Sequence, residues 1–312
     1  MYLKYDPFRK RSVGASINLT FALLRGHAKD IFSVVLPIAG PAALIYFISI
    51  FFLQEEARYM VNGGDIFADN INESLNLMGQ AFITIFAYMA FTLLAQLSVY
   101  AWARKAYESD RAPVLAEVWR LVRKSILPLI GTVIIFALLG GLAAIAFSLF
   151  GMLIPFLIFL IFIPIVYVLV RFSLFPVAIV MEDRSVDSLG RSWRLVADNW
   201  WPSFGFLFLL WLISVVLGFT LELPLTIING ADSYFDFETV DPASLEFTSD
   251  TWYIALSSLL SILVVLLTTL ISGLASVSWF GNLVDRKENV GIQRDIEASM
   301  QSEQSSEQEG EY

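Results

Sequence analysis

The sequence predicts an all-α integral membrane fold: six transmembrane helices in three hairpins, each preceded by an amphipathic helix on the cytoplasmic face. Three observations predict it. Of 312 residues, 57% are hydrophobic and 16% charged, whereas an ordinary soluble domain is about a quarter charged. Six apolar stretches, at about 31–53, 80–103, 126–148, 152–180, 202–228 and 252–279, are each long enough at 1.5 Å per residue to cross roughly 30 Å of hydrocarbon. The charges are also sided: 18 of the 20 Lys and Arg lie in the terminal segments or in the connections after spans 2 and 4. Basic residues resist translocation, so both termini are expected in the cytoplasm.

Residues 1–30 carry Lys4, Arg9, Lys10, Arg11, Arg25 and Lys29, with Val13, Ile17, Phe21 and Leu24 at helical spacing, which predicts a first surface helix. No short apolar core with a small-residue cleavage site follows the basic start, so a retained cytoplasmic segment is expected rather than a signal peptide. Span 1 holds Pro37, Gly40 and Pro41 and is expected to kink there, because each proline removes a backbone donor. Residues 54–79, with Glu55, Glu56, Asp65, Asp69 and Glu73 against Arg58, are expected to leave the membrane.

Span 2 ends on Trp102, Arg104 and Lys105, and a second surface helix follows with Trp119, Arg120, Arg123 and Lys124. In span 3, Gly140 and Ala144 stand four apart and suit close helix approach. A tight connection near 151–155 leads to span 4, whose end is expected beyond Pro176. Arg171 would then be buried roughly 15 Å below the cytoplasmic surface. The third surface helix follows at about 185–200. Span 5 begins at Pro202 and carries Glu222 near its outer end. The next loop holds Asp232, Asp236, Glu238, Asp241, Glu246 and Asp250 and no base. Span 6 leads to an acidic tail, 284–312, rich in Glu, Gln and Ser and expected to be disordered beyond about Ser299. The membrane domain is thus 1–283, with units at about 12–103, 112–180 and 185–280.

The stretch from Arg171 to Trp201 organises this plan. Val186, Leu189, Trp193, Val196 and Trp200 form one apolar stripe, with Asp187, Ser188, Arg191, Arg194 and Asp198 on the other side. Such a helix belongs in the headgroup layer. The string WRLV occurs at 119–122 and again at 193–196, each time before a span, and Phe21 to Leu24 is its looser counterpart before span 1. A threefold repeat with all units in one orientation follows, unlike the inverted repeats of many transporters.

Arg171 and Pro176, then Glu182, then Leu189, Gly190, Arg191, Ser192 and Trp193, then Trp200 and Trp201, resemble a prokaryotic membrane family. The chain is similar, over roughly residues 10–285, to the six-span domain ahead of the catalytic domain in some glycerophosphodiester phosphodiesterases, and to its stand-alone relatives. The resemblance implies a multi-pass inner-membrane protein. No phosphodiesterase barrel, which would need about 250 residues, is expected beside these spans, and enzymatic activity is therefore not expected to carry over.

Candidate site residues are few. Arg171 leads, because an ionisable group at membrane depth costs several kcal/mol unless paired or hydrated. Glu182 or Asp183 would be its partner if the chain bends at Pro176, and snorkelling is the plainer alternative. Glu222 is the acid inside a span, or simply an outer-interface carboxylate. Ser261, Thr268 and Ser272, with Ser258 and Ala275, line one stripe of span 6, either as a polar path or as ordinary packing with back-bonded hydroxyls. The interfacial set is Trp119, Arg120, Glu182, Leu189, Arg191, Ser192, Trp193, Arg194 and Trp200. With no cysteine and one histidine, His27, neither a thiolate nor a multi-histidine metal site exists in the chain. No cofactor is expected, and the acidic loops do not match a calcium loop. The reading is a non-enzymatic protein that organises the membrane or handles lipid; the alternative is a transporter or exporter of a small or amphiphilic molecule. Membrane lipids are the expected partners, with a homo-oligomer or another membrane protein left open. Nucleic acid is excluded, since the basic residues flank spans and form no free basic face.

Overall fold

The computed structural model describes residues 6, 8–62, 71–109, 111–151, 157–185, 187–235, 251–293, 296, 299 and 300. Among these the regular structure is helical, without strands. Eight helices follow in order: α1 (Val13–Asn62), α2 (Ile71–Glu108), α3 (Leu115–Gly151), α4 (Leu157–Phe172), α5 (Phe175–Glu182), α6 (Asp187–Ala197), α7 (Trp200–Phe235) and α8 (Thr251–Glu288). Five stretches of described helix are long and apolar enough to cross a membrane: Val13–Ala57, Leu75–Glu108, Ile163–Glu182, Trp200–Leu225 and Thr251–Glu288. Large apolar side chains such as Leu44, Phe86, Ile163 and Phe219 stand exposed along them, as surfaces solvated by hydrocarbon do.

The helix boundaries differ from the sequence expectation in ways with physical causes. Of the first two surface segments, the first is set off from the span by a kink and the second is not a separate helix. The first is the start of α1, and its boundary with the span is His27, the residue inside α1 with non-helical angles (φ −127°, ψ 16°). Pro37 and Pro41 stand inside the same helix, beyond this departure. A spanning helix tolerates proline when neighbours satisfy the freed carbonyl. The second surface segment runs into span 3 without a break as α3, with Pro128 inside. Val118, Val122, Ser125, Leu129 and Thr132 are all buried; steps of four and three carry one continuous face across the expected boundary. Helix α1 also continues through Glu55 and Glu56, and α2 begins at Ile71, so much of the first outer connection is helical. Asp65, Asp69, Asp236, Glu238, Asp241, Glu246, Asp250, the connection at 152–156 and the tail from 301 lie outside the described residues.

The chain forms two compact units. One comprises Met1–Ile31, Val99–Phe208 and Ser272–Tyr312. Its core contains Trp102, Val122, Val177, Leu195, Phe206, Trp279 and Phe280, all under 2% exposed. Trp279 stacks on Phe206 with centroids 4.9 Å apart and donates to Ser203 Oγ at 3.1 Å. Residues 8–12 are held to the end of α8: Asp285 accepts from Lys10 N (3.0 Å) and Gly291 N (2.7 Å), and Asn282 accepts from Arg11 N (2.8 Å). Gly273 permits close helix contact here, because a Cβ at that position would lie 2.9 Å from Val99 Cγ1. Val99 is stiff at χ1 and cannot yield cheaply. Gly273→Ala is accordingly expected to cost about 1–3 kcal/mol, read as a lower melting temperature in detergent. Val99→Ala should relieve the clash in the double variant, and unchanged melting of Gly273→Ala would refute the close packing.

The other unit comprises Phe32–Ser98 and Leu209–Ile271. Tyr46 packs on Tyr88 (5.5 Å) and Phe91 (6.2 Å). Gln80 donates to Ser49 O at 3.1 Å, and Ser257 donates to Gln54 Oε1 at 3.1 Å.

Candidate functional site

The site is built on the interruption between α4 and α5. Pro176 stands in the first turn of α5 and has no N–H to offer the carbonyl four residues back, which favours a break at this point. Ser173 turns its N–H and hydroxyl onto Val170 O, at 3.3 and 2.9 Å. The next two backbone groups are satisfied from α6. Ser192 Oγ donates to Arg171 O at 2.7 Å and accepts from Leu174 N at 3.2 Å. Ser192 and Leu174 are both fully buried, where an unmet backbone group would be costly. The apolar run thus extends to Glu182 in two helices, and α6 packs against both.

Arg171, at the end of α4, lies between aromatic rings. Its guanidinium carbon is 4.6 Å from the Trp193 ring centroid and 4.9 Å from that of Tyr167. It donates to Trp193 O at 3.1 Å and to the Tyr167 hydroxyl. Its Nε is buried without a hydrogen-bond partner. The expected pairing with Glu182 or Asp183 does not occur. Eight residues of α5 carry those acids roughly 12 Å beyond the break, and other bases take them: Arg184 and Arg191 hold Glu182, and Lys124 holds Asp183. Trp200 completes the aromatic group, stacking on Tyr167 (5.6 Å) and on Phe204 (5.4 Å).

The expected apolar stripe of α6 is divided between the protein and the exposed side. Ser188, Ser192, Leu195 and Val196 face the protein, while Trp193 and Arg194 are exposed and Leu189 half-exposed; Val186 lies outside the described residues. Small serines let α6 approach the broken backbone, which a purely apolar stripe would not allow. Arg191, assigned to the polar side, instead points inward at 12% side-chain exposure. It donates to Glu182 from Nε (3.0 Å) and Nη2 (2.7 Å), and from Nη1 to Glu288 at the end of α8. Burial opposes its charge, but the hydrogen bonds to Glu288 and Glu182 outweigh burial and hold its pKa above the ordinary arginine value. Lys287 covers the other end of α6, donating to Arg194 O and pairing with Asp198 at 2.9 Å, as a cation at a helix C-terminus does.

Beside this lies an open groove of about 630 Å³ between the end of α4 and the outer side of α6. Phe172, Leu189 and Trp193 form its apolar wall, and Arg184, Asp187 and Arg194 its polar one. Gly190 also lines it, and a Cβ there would meet nothing within 4 Å. Packing therefore does not require that glycine, although it costs about 1 kcal/mol in a helix interior relative to alanine.

The remaining sequence candidates lie elsewhere. Glu222 is exposed on α7. Ser261 Oγ is 3.5 Å from Tyr46 Oη, and Thr268 bonds back to Val264 O (2.8 Å) and Val265 O (3.1 Å). Ser258, which meets Gln54 Oε1 at 3.5 Å, and Ala275 are buried, and Ser272 is half-buried. Trp119 and Arg120 are exposed on α3, with Arg123 over the Trp119 ring at 5.7 Å. Among the described residues no group of His, Asp and Glu is placed to hold a metal ion. Sequence reasoning missed Tyr167, Arg184 and Glu288. Tyr167 stands one helical turn before Arg171, a spacing that marks side-chain neighbours; nothing local marks Glu288, which is distant in the chain.

No curated protein and no solved structure matches the chain. A family model described as a domain of unknown function, DUF7847, matches residues 118–282. The match covers more than half of the sequence and takes in the whole α4–α5–α6 contact. The chain therefore belongs to the DUF7847 family.

Proposed function

We propose that this is a non-enzymatic, multi-pass inner-membrane protein that binds and organises lipid at the cytoplasmic face. Six spans form three hairpins, both termini are cytoplasmic, and α3 supplies the span at 126–148. Support for the sixth span is the length of α3, 37 residues, about 55 Å of helix. The sidedness of Lys and Arg supports the orientation. Kinship with the six-span domain of glycerophosphodiester phosphodiesterases belongs to the same reading. Its support is that Arg171, Pro176, Glu182, Ser192 and Trp193, the residues carrying the resemblance, build the α4–α6 contact.

The single observation that carries the lipid reading is α6. A short helix fastened by Ser192 and Arg191 presents Trp193 and Arg194 outward between two long apolar helices. Aromatic and basic side chains on such a helix match the headgroup layer. Native mass spectrometry of the full chain, released from cell membranes in mild detergent, should find phospholipid retained. Lipid-free protein at every detergent concentration would overturn the reading. A reporter after residue 300 should remain cytoplasmic and one after Asp236 should be external; the reverse would overturn the topology.

A further inference from the structure

We propose that the groove between the end of α4 and the outer side of α6 seats the phosphodiester headgroup of an anionic glycerophospholipid from the surrounding leaflet; this deepens, and rests on, the lipid reading above. Charge is the first argument. Arg184 and Arg191 have carboxylate partners, and Lys287 is paired with Asp198. The two guanidiniums flanking Trp193 do not: Arg171 bonds only to a carbonyl and a phenol, with its Nε unmet, and Arg194 is exposed without an ion pair among the described residues. Asp187, also without an ion pair among the described residues, offsets one of these charges, so the region around Trp193 keeps a net excess of one positive charge next to apolar surface, and guanidinium is suited to phosphate oxygens.

Shape is the second. A volume of about 630 Å³ lies within the range of small-molecule sites. Phe172, Leu189 and Trp193 are placed for glycerol and the first acyl carbons, with Arg194 and Arg184 on the phosphate side. Gly190 keeps the space open where no protein atom fills it. Asp187 lines the same groove. Its carboxylate disfavours a phosphate monoester, with its higher charge, and accepts from a headgroup hydroxyl, so the hydroxylated diester of phosphatidylglycerol is the ligand class.

The test uses the full chain in nanodiscs of mixed phosphatidylglycerol, phosphatidylethanolamine, phosphatidic acid and phosphatidylcholine, with retained lipid read by native mass spectrometry. Wild type should keep phosphatidylglycerol over phosphatidylcholine by about tenfold, equivalent to one well-placed charged contact. Arg194→Gln and Gly190→Leu should bring the ratio near parity while melting no lower than wild type, since leucine favours the helix over glycine. Arg120→Gln, on α3, should leave the ratio intact. Equal retention of all headgroups, a preference for phosphatidylethanolamine or phosphatidic acid, or an unchanged ratio in Gly190→Leu would overturn the proposal and leave the general lipid reading standing. Absence of any retained lipid would overturn both.

Discussion

Arg191→Ala should free α6 from its mooring. The guanidinium joins Glu182, 18% exposed, to Glu288, 43% exposed, and so ties α5, α6 and the end of α8 together. Removing one member of a buried pair leaves an uncompensated charge, at a cost of about 3–5 kcal/mol. Arg184 still holds Glu182, and water reaches Glu288, which lowers the expected loss to about 2–3 kcal/mol. The measurement is amide hydrogen exchange over residues 187–197. Local opening should become roughly 30- to 150-fold more frequent, with a fall in melting temperature. Arg191→Lys keeps the charge but lacks the planar fork, so it should recover only part of the protection. Exchange as slow as wild type in Arg191→Ala would show that α6 is held by its apolar side alone.

Composition and charge sidedness were enough to read a helical chain with apolar spans, because hydropathy and length are local quantities. Helix ends were less legible. Nothing in Ser12 to Leu36 announces that His27, rather than a proline, departs from helical angles; its ring packs 5.9 Å from that of Trp102, a residue far along the chain. The run Val118, Val122, Ser125, Leu129, Thr132 was readable as a continuous stripe, yet the charges beside it drew the boundary too early. At the site, periodicity found α6 but not which side it turns to the protein. The stripe through Leu189, Trp193 and Val196 scored as apolar, whereas the buried side is chosen by Ser188 and Ser192, small residues whose hydroxyls have backbone to meet. Arg191 turned inward because two acids, one of them in α8, wait there. Charge compensation across the fold leaves no mark on local spacing.

Ser192→Ala should loosen the break itself. This hydroxyl has two roles at once, as donor to Arg171 O and acceptor from Leu174 N, and both groups sit at the break between α4 and α5, where helical hydrogen bonding is interrupted. Two orphaned groups, with Leu174 1% exposed, imply a loss of about 2–6 kcal/mol at about 1–3 kcal/mol for each unmet buried group. Alanine cannot clash, so the loss isolates the hydrogen bonds. The Leu174 amide should lose protection before the rest of α5 does. The effect should also reach Arg171, because that residue is fastened twice to α6: its carbonyl to Ser192, and its guanidinium to Trp193 O. Releasing the first bond frees the backbone that aims the second. Ser192→Ala and Arg171→Gln should therefore be non-additive, the double variant costing less than the sum of the two singles by about 1 kcal/mol. Strict additivity would mean that Arg171 is held by Tyr167 and the Trp193 ring independently of the break, and that the serine serves α5 alone.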